Sequence, residues 1–252
     1  MLLPLLFSHL MYVIFYTSQT NIHHVIANES NSIQVVNQIP LPHGFVRIPV
    51  AESSFAGWLR HIKLKASKTV YLYNGLPKQN QSAQFAVLDI PVGNKDLQQC
   101  ADAVMRLRAS YLFDQKKFTE IIFKDNAGKN YKYTAGDDAV AFQHYLEKVF
   151  AYCGTLSLNA QLKEVNNIND ISAGDVFIKG GSPGHAVIVL DVAINKRGEK
   201  IYLIAQSYMP AQDIHILVNP VYAAISPWYR VNADKKIVTP EWVFNAAELK
   251  QW

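Results

Sequence analysis

The chain of 252 residues contains few cysteines and few charged side chains. Two cysteines are too few for a disulfide-stabilised scaffold or for a four-cysteine zinc site. Charged residues make up only 17% of the chain and apolar residues 50%, which excludes an intrinsically disordered protein. The 12 glycines and 11 prolines are ordinary counts, so collagen-like and low-complexity classes are excluded as well. The composition therefore predicts a folded protein of one large domain or two small ones.

Strong charge of one sign is also lacking. The formal net charge is +4, and no run of five like charges occurs. The densest basic stretch, residues 60–68, is interleaved with apolar side chains. A mild positive balance affects solubility and does not identify a nucleic-acid partner. We therefore predict no nucleic-acid partner.

Metal and cofactor motifs are missing from the chain. There is no His-Glu-x-x-His, no Cys-x-x-Cys and no cluster of carboxylates with ligand spacing. We therefore predict neither a metal nor a cofactor.

The N-terminal segment is long, apolar and almost free of charge. Residues 2–16 are apolar apart from two polar positions, and the first charged side chain is Glu29. Fifteen residues are too short for a membrane span of about 20, but they suit the apolar region of a signal peptide. A buried N-terminal helix is the alternative. We predict a signal peptide over residues 1–20 and a secreted or periplasmic protein without a membrane span after signal removal.

Export would place both cysteines in an oxidising compartment, where Cys100 and Cys153 could pair. After the signal, a polar tether is predicted over residues 21–38. Residues 39–252 show no internal repeat and no linker composition, and they are predicted to form a single domain.

Strands and helices segregate along this domain instead of alternating strictly. This order predicts the α+β class, with an antiparallel sheet packed against helices. The predicted helices cover residues 97–113, 139–152 and 240–249. The predicted strands cover residues 70–73, 85–90, 118–123, 131–133, 173–178, 185–192, 200–208, 214–218 and 228–231.

Cys100 is a candidate nucleophile because it lies in the first turn of the predicted helix that Asp96 caps. Unpaired amide groups and the helix dipole stabilise a thiolate at that position. The alternatives are a buried small side chain and half of a disulfide. Cys153, at a helix C-terminus, is the poorer nucleophile because the dipole there opposes a negative charge.

His185 follows a Ser-Pro-Gly loop and opens an apolar strand, so it is expected at the rim of the sheet as a catalytic base or as a packed histidine. If the following turn is centred on residues 196–197, Gln206 shares its face and reaches the ring diagonally. Gln206 would then orient the imidazole. Asp191 has the matching parity but lies about 20 Å along the strand.

The order of these features resembles the NlpC/P60 and CHAP cell-wall hydrolases. It consists of a cysteine at a helix start, a Gly-Asp-Val-Phe-Ile strand, a Gly-His pair opening an apolar strand, and a polar residue on the next strand. The resemblance implies a papain-like core with Cys100 as nucleophile, His185 as base and Gln206 as the orienting residue. It also implies a peptide or amide substrate in the cell envelope, such as peptidoglycan.

Three segments, residues 96–104, 181–187 and 205–212, resemble the domain of unknown function 4846 family. The resemblance runs from about Gly44 to the C-terminus. It implies a secreted or lipid-anchored bacterial protein and supplies no activity. No lipobox cysteine occurs near residue 20, so a lipid anchor is not expected.

The loops around His185 supply candidate substrate-binding residues, namely Ser182, Gly184, Tyr208 and Gln212. Glycine beside the histidine would let a substrate approach closely. Gln212, Asp213 and His215 also fit a solvated turn.

Two functions are therefore predicted. The first is a cysteine-dependent hydrolase of the peptidase or amidase type that acts on the cell envelope. The second is a non-catalytic envelope protein that binds glycan or a protein partner through its cleft or its aromatic surface. The aromatic candidates equally fit a core; they are Trp58, Trp228, Tyr229, Trp242 and Trp252.

Overall fold

The computed structural model describes residues 33–231 and 236–252. The predicted signal peptide and most of the predicted tether lie outside these residues. The tether does not extend to residue 38, because the Val36 side chain is fully buried and its N–H donates to the Ile62 carbonyl. The folded unit begins at Ile33. Within the described residues, no helix is long and apolar enough to cross a membrane.

Four helices and thirteen strands are found in the described residues. The helices are α1 (Phe55–Arg60), α2 (Cys100–Asp114), α3 (Ala139–Tyr152) and α4 (Thr155–Gln161). The strands are β1 (Phe45–Arg47), β2 (Gln84–Val87), β3 (Ile122–Lys124), β4 (Asn130–Lys132), β5 (Lys163–Glu164), β6 (Val176–Lys179), β7 (His185–Asn195), β8 (Lys200–Gln206), β9 (His215–Leu217), β10 (Tyr229–Arg230), β11 (Lys236–Val238), β12 (Val243–Asn245) and β13 (Leu249–Gln251).

Nine strands form one sheet, and every pairing in it is antiparallel. The order is β2-β9-β8-β7-β6-β13-β5, with β1 on β7 and β10 on β8. Two short hairpins, β3–β4 and β11–β12, lie outside this sheet. The predicted α+β class with an antiparallel sheet is confirmed.

The sheet separates two hydrophobic clusters. Ala186, Ile188 and Leu190 of β7 pack in the cluster that includes α2. Val187 and Val189 pack in the other cluster, which includes β12. Side chains of a strand alternate between its faces, so His185 has the parity of the second cluster. Its ring stacks on that of Phe244 in β12, with centroids 5.7 Å apart.

The start of α2 differs from the sequence prediction by three residues. The Asp102 carboxylate accepts from the Gln99 N–H at 2.9 Å, so Gln99 is the N-cap and Cys100 the first helical residue. Asp96 accepts from the Ala211 N–H at 2.7 Å instead and holds the 207–212 loop beside the helix start.

The C-terminal helix predicted over residues 240–249 is wrong. This segment forms β12, a 3-10 turn over Ala246–Glu248, and β13. The burial pattern explains the difference, because Val243 and Asn245 are exposed while Phe244 between them is fully buried.

Three other predictions need correction. Residues 70–73 form only isolated bridges with Pro77 and Gln212, and no strand. The helix α4 was not predicted. A glycine after a helical pattern indicates a helix end, so the sequence predicts that Gly154 ends α3, whereas it is the N-cap residue of α4. The helix α3 agrees with prediction. The β3–β4 hairpin is present, but residues 118–120, predicted as strand, form a 3-10 turn and β3 begins at Ile122.

Candidate functional site

A cleft of about 490 Å³ opens where the N-terminus of α2 meets the rim of the sheet. It is lined by the first turn of α2, the end of α3, the loop of residues 181–184, the loop of residues 208–209, and Trp242. Cys100 and Cys153 both line it. Both cysteines are free, so the pairing considered for an oxidising compartment is not present here.

Cys100 lies at the bottom of this cleft and is 7% exposed. Burial, and secondarily the nearby Asp102 carboxyl, raise the pKa of its thiol to about 11. Hydrogen bonding from the backbone of Ala101 and Ala186 acts in the opposite direction and lowers the pKa. The thiol is therefore protonated at neutral pH, although backbone N–H groups are in place to stabilise negative charge on the sulfur.

His185 and Gln206 are joined as predicted: the His185 Nε2 lies 2.8 Å from the Gln206 Oε1. Both side chains are only 1% exposed. The Gln206 amide nitrogen donates to the Glu241 carboxylate at 2.6 Å. A carboxylate only accepts, so the amide oxygen of Gln206 must face the imidazole. His185 then carries its proton on Nε2, and its Nδ1 is the unprotonated nitrogen.

Glu241 is itself held by a buried lysine. The Lys78 ammonium donates to the Glu241 carboxylate at 2.7 Å, and the lysine side chain is 7% exposed. Burial lowers the pKa of Lys78, while its bond with Glu241 raises it. His215 completes the cluster at 3.4 Å from both the Lys78 ammonium and the Gln206 amide nitrogen.

The register between β7 and β8 brings Gln206 to His185. Near His185 it is the predicted register, but a bulge in β7 is needed to produce it. Ile188 pairs with Ala205, as a turn centred on residues 196–197 requires. Nearer the turn the register differs by one residue, and a bulge between Val189 and Asp191 restores it.

The bulge also corrects the predicted parity of Asp191. That carboxylate accepts from Arg47 and Arg60, each at 2.7 Å, and is fully buried. Residue Ala193 beyond the bulge packs in the α2 cluster and Val192 in the other, so parity is reversed after residue 190.

Aromatic rings enclose the imidazole of His185. Tyr208, Trp242 and Phe244 lie with ring centroids 4.8, 5.3 and 5.7 Å from it. Burial in this setting lowers the pKa of His185 to about 4, so the ring is neutral at pH 7. Two of these rings, Tyr208 and Trp242, also line the cleft.

The structure does not join the nucleophile to the base directly. Among the hydrogen bonds of the described residues, none links Cys100 to His185, and the first polar partner of the imidazole is Gln206. The thiol belongs to the helix that packs in one cluster, and the imidazole faces the other. The connection between them is through the backbone: Ala186, the residue after His185, forms a backbone hydrogen bond with the Cys100 thiol.

The predicted substrate-binding residues have different environments. Ser182, Gly184 and Tyr208 line the cleft. Gln212 does not: it is 1% exposed, and its carbonyl accepts from the Ser207 hydroxyl. Gly184 is required by its own loop rather than by a substrate, because an added Cβ would lie 2.3 Å from the Gly181 carbonyl oxygen.

Three residues of the cluster and cleft were missed by sequence reasoning, namely Lys78, Glu241 and Asp102. The sequence places Asp102 in the predicted helix two positions after Cys100, but it does not indicate that this carboxyl lines the cleft. Lys78 and Glu241 are far apart in the chain and carry no motif, so no sequence signal marks them. Asp213 and His215 do not form a solvated turn, since they are 1% and 0% exposed.

Comparison with known proteins identifies one family. Its sequence model, described as "Domain of unknown function (4846)", matches residues 35–138 and 134–251. No curated protein and no solved structure matches the chain. The two matched segments together span the folded part of the molecule, including Cys100, His185, Gln206 and Glu241. The chain therefore belongs to the domain of unknown function 4846 family.

Proposed function

We propose that the cleft is the active site of a cysteine-dependent hydrolase that cleaves amide bonds in cell-envelope peptides. One observation carries the proposal: Gln206, anchored by Glu241, holds a neutral His185 with its Nδ1 unprotonated beside a cleft that Cys100 lines. A base with one oriented nitrogen and a thiol at a helix N-terminus are the parts that acyl transfer to cysteine requires.

The neutral states of both groups define the first step. The Cys100 sulfur attacks the amide carbonyl carbon while its proton passes to the His185 Nδ1. The imidazolium then gives this proton to the leaving amine, and the carbon–nitrogen bond breaks to leave a thioester. Water, deprotonated by the same imidazole, hydrolyses the thioester and regenerates the thiol.

Backbone groups at the start of α2 would stabilise the oxyanion. The N–H groups of Cys100 and Ala101 belong to the first turn, where they have no partner within the helix. Because no hydrogen bond joins Cys100 to His185 in the resting protein, substrate binding must bring them together. Catalytic hydrogen bonds commonly tighten only in the substrate complex.

The lining of the cleft favours neutral or cationic peptides. It includes the carboxyl groups of Asp96 and Asp102 and the rings of Tyr208 and Trp242, and no lysine or arginine is among the lining residues. The envelope as the source of these peptides rests on the expected export and on the resemblance to cell-wall hydrolases.

A non-catalytic binding protein is the second candidate. The raised thiol pKa and the missing Cys100–His185 hydrogen bond favour this candidate. Binding requires neither a reactive thiolate nor a hydrogen bond between these two residues. The exposed Met209 at the cleft would contribute apolar contact to such a ligand.

Digestion of purified peptidoglycan by the wild-type protein, followed by mass spectrometry of released fragments and of the protein, separates the two. We expect new amine termini and a transient acyl adduct on Cys100. Cys100→Ala and His185→Ala should abolish both, while the matched Cys153→Ala should retain them. Cleavage that persists in Cys100→Ala would overturn the mechanism. Binding of the protein to intact peptidoglycan without cleavage would establish the binding protein.

A further inference from the structure

A second pocket lies away from the cleft, over the β3–β4 hairpin and α3. It encloses about 520 Å³, within the size range of small-molecule sites. Three lysines and a histidine line it, with no aspartate or glutamate among the lining residues; these are Lys129, Lys132, Lys148 and His144. This composition is the opposite of the cleft, which has carboxyl groups and no basic side chain in its lining.

Within the described part of the chain, none of the three lysines forms a salt bridge; the Asp125 carboxylate, which accepts from the Lys129 backbone N–H at 3.0 Å, lies outside the lining residues and offsets only part of the positive charge. The Lys129 and Lys148 ammonium groups lie 5.4 and 6.0 Å from the centre of the Tyr131 ring. Their separation cannot exceed the sum of these distances. A cation–π contact is worth about 0.5–1 kcal/mol at an exposed site, and two cations within this distance repel each other. An anion bound near both ammonium groups would reduce this repulsion and add stability.

Three tyrosines also line the pocket, and each of their hydroxyl groups already donates a hydrogen bond within the protein. Tyr133 donates to the Asp138 carbonyl at 2.8 Å, and Tyr145 donates to the Tyr131 carbonyl at 2.9 Å. The Tyr131 hydroxyl donates to the Asp125 carboxylate at 3.1 Å. These hydroxyls are therefore committed, and the ammonium groups are the charged donors that the pocket lining offers a ligand. The lining also offers the neutral donors of Asn130 and Thr134 and the His144 ring.

We propose that this pocket binds a phosphate group, with Lys129 and Lys148 as its donors. Lysine recognises phosphate as a point charge, whereas planar carboxylates are matched best by the fork of arginine, and no arginine lines the pocket. The phosphate belongs either to a small soluble ester or to a phospholipid headgroup. This site is independent of the proposed hydrolase activity.

Titration of the isotope-labelled full chain with glucose 6-phosphate, followed by amide chemical shifts, tests the site. We expect saturable shifts confined to residues 129–148 and a Kd no weaker than about 10 mM. Affinity should fall steeply with added salt. The double variant Lys129→Gln/Lys148→Gln should bind roughly tenfold more weakly. Lys163→Gln, an exposed lysine outside the pocket, should match the wild type.

Further ligands identify the source of the phosphate. Glucose should cause no shift, and glucuronate should bind more weakly than glucose 6-phosphate. Stronger binding to phosphatidylglycerol vesicles than to phosphatidylcholine vesicles, lost in the double variant, would assign a lipid headgroup. The proposal is overturned if no phosphate ligand gives saturable shifts, if glucuronate binds as well as glucose 6-phosphate, or if the double variant binds like Lys163→Gln.

Discussion

The amide of Gln206 has one accepting and one donating end, and Glu241 determines which end faces His185. With the carboxylate 2.6 Å from the amide nitrogen, the oxygen is left for the imidazole. A rotated amide would offer a donor to Nε2, and the proton of His185 would move to Nδ1, where it would block the proposed base.

Replacing Glu241→Leu should therefore change the tautomer of His185. We expect nitrogen NMR to show the proton leaving Nε2 for a mixture of both nitrogens, and activity on envelope peptides to fall about 100-fold, the lower end of a general-base contribution. Glu241→Gln keeps an accepting oxygen and should restore both. An unchanged tautomer in Glu241→Leu would show that the ring is fixed by its aromatic neighbours alone.

Asp102 contributes to the low acidity of Cys100. Its own pKa is raised well above the ordinary value, mainly by burial, and its Oδ1 is buried without a hydrogen-bond partner. When ionised, it opposes the thiolate two residues away.

Asp102→Asn should lower the thiol pKa and speed alkylation of Cys100. We expect at least a threefold faster reaction with iodoacetamide at pH 9, read at each cysteine by mass spectrometry, because each unit of pKa changes the thiolate fraction tenfold below the pKa. Asparagine can still accept from the Gln99 N–H, so the helix start is retained. Asp96→Asn, which alters another cleft carboxyl, should leave the rate unchanged; equal rates in both variants would contradict the assignment.

At the scale of elements, Asp191 connects three pieces of the fold. From β7 it accepts from Arg47 of β1 and Arg60 of α1, each at 2.7 Å. The two guanidinium groups also donate to the carbonyls of Ile39 and Ile48. The β-bulge before Asp191 turns its side chain toward these arginines, so a local irregularity of one strand fixes the position of β1 and α1.

Asp191→Ala should destabilise the fold by about 3–5 kcal/mol, because it leaves two partly buried cations without their partner. The measurement is chemical denaturation of the wild type and the variant under the same conditions. The control Glu164→Ala removes a carboxylate that is 75% exposed and should change stability by less than about 0.5 kcal/mol. A similar loss in both variants would show that the buried cluster adds nothing specific.

For the whole molecule, the buried histidines set the dependence of stability on pH. Burial lowers the pKa of His185 to about 4 and that of His215 to about 3. The unfolded chain takes up protons on these rings near pH 6.5, before the folded protein does. Stability contributed by the neutral rings is therefore complete above pH 6.5 and is lost as pH falls toward 4, by up to about 3 kcal/mol for His185.

Asp175 acts in the opposite direction: burial raises its pKa to about 6, so the unfolded chain ionises first and stability falls as pH rises from about 4 to about 6. A difference measurement removes this contribution. We expect His215→Gln to lose less stability than the wild type between pH 7 and pH 4.5 in urea denaturation. Parallel curves for the two proteins would show that folding does not lower the pKa of His215.

The sequence allowed the central strands of the sheet, α2, α3 and the His185–Gln206 pair to be predicted, because these depend on local periodicity and on one hairpin register; the strands β1, β5 and β13 of the same sheet were not predicted. It did not allow Lys78 and Glu241 to be paired, since their contact is set by how the β11–β12 hairpin packs on the sheet. The strand β13 was likewise missed because its partners, β6 and β5, lie far away in the chain. The bulge that reverses parity at Asp191 leaves no mark in the pattern of apolar residues.

Cys100 begins the helix α2, whose apolar side chains pack in the cluster on one face of the sheet, while the His185 ring stacks on Phe244 of the cluster on the other face. The distance between the thiol and the imidazole therefore depends on how the layers on the two faces of the sheet are aligned. Phe244 does not line the cleft, but its ring lies beside those of His185 and Trp242, with centroids 5.7 and 6.3 Å away. We expect Phe244→Leu to alter the rate at which iodoacetamide alkylates Cys100, because packing on the face of the sheet that His185 shares then bears on the chemistry of the cleft.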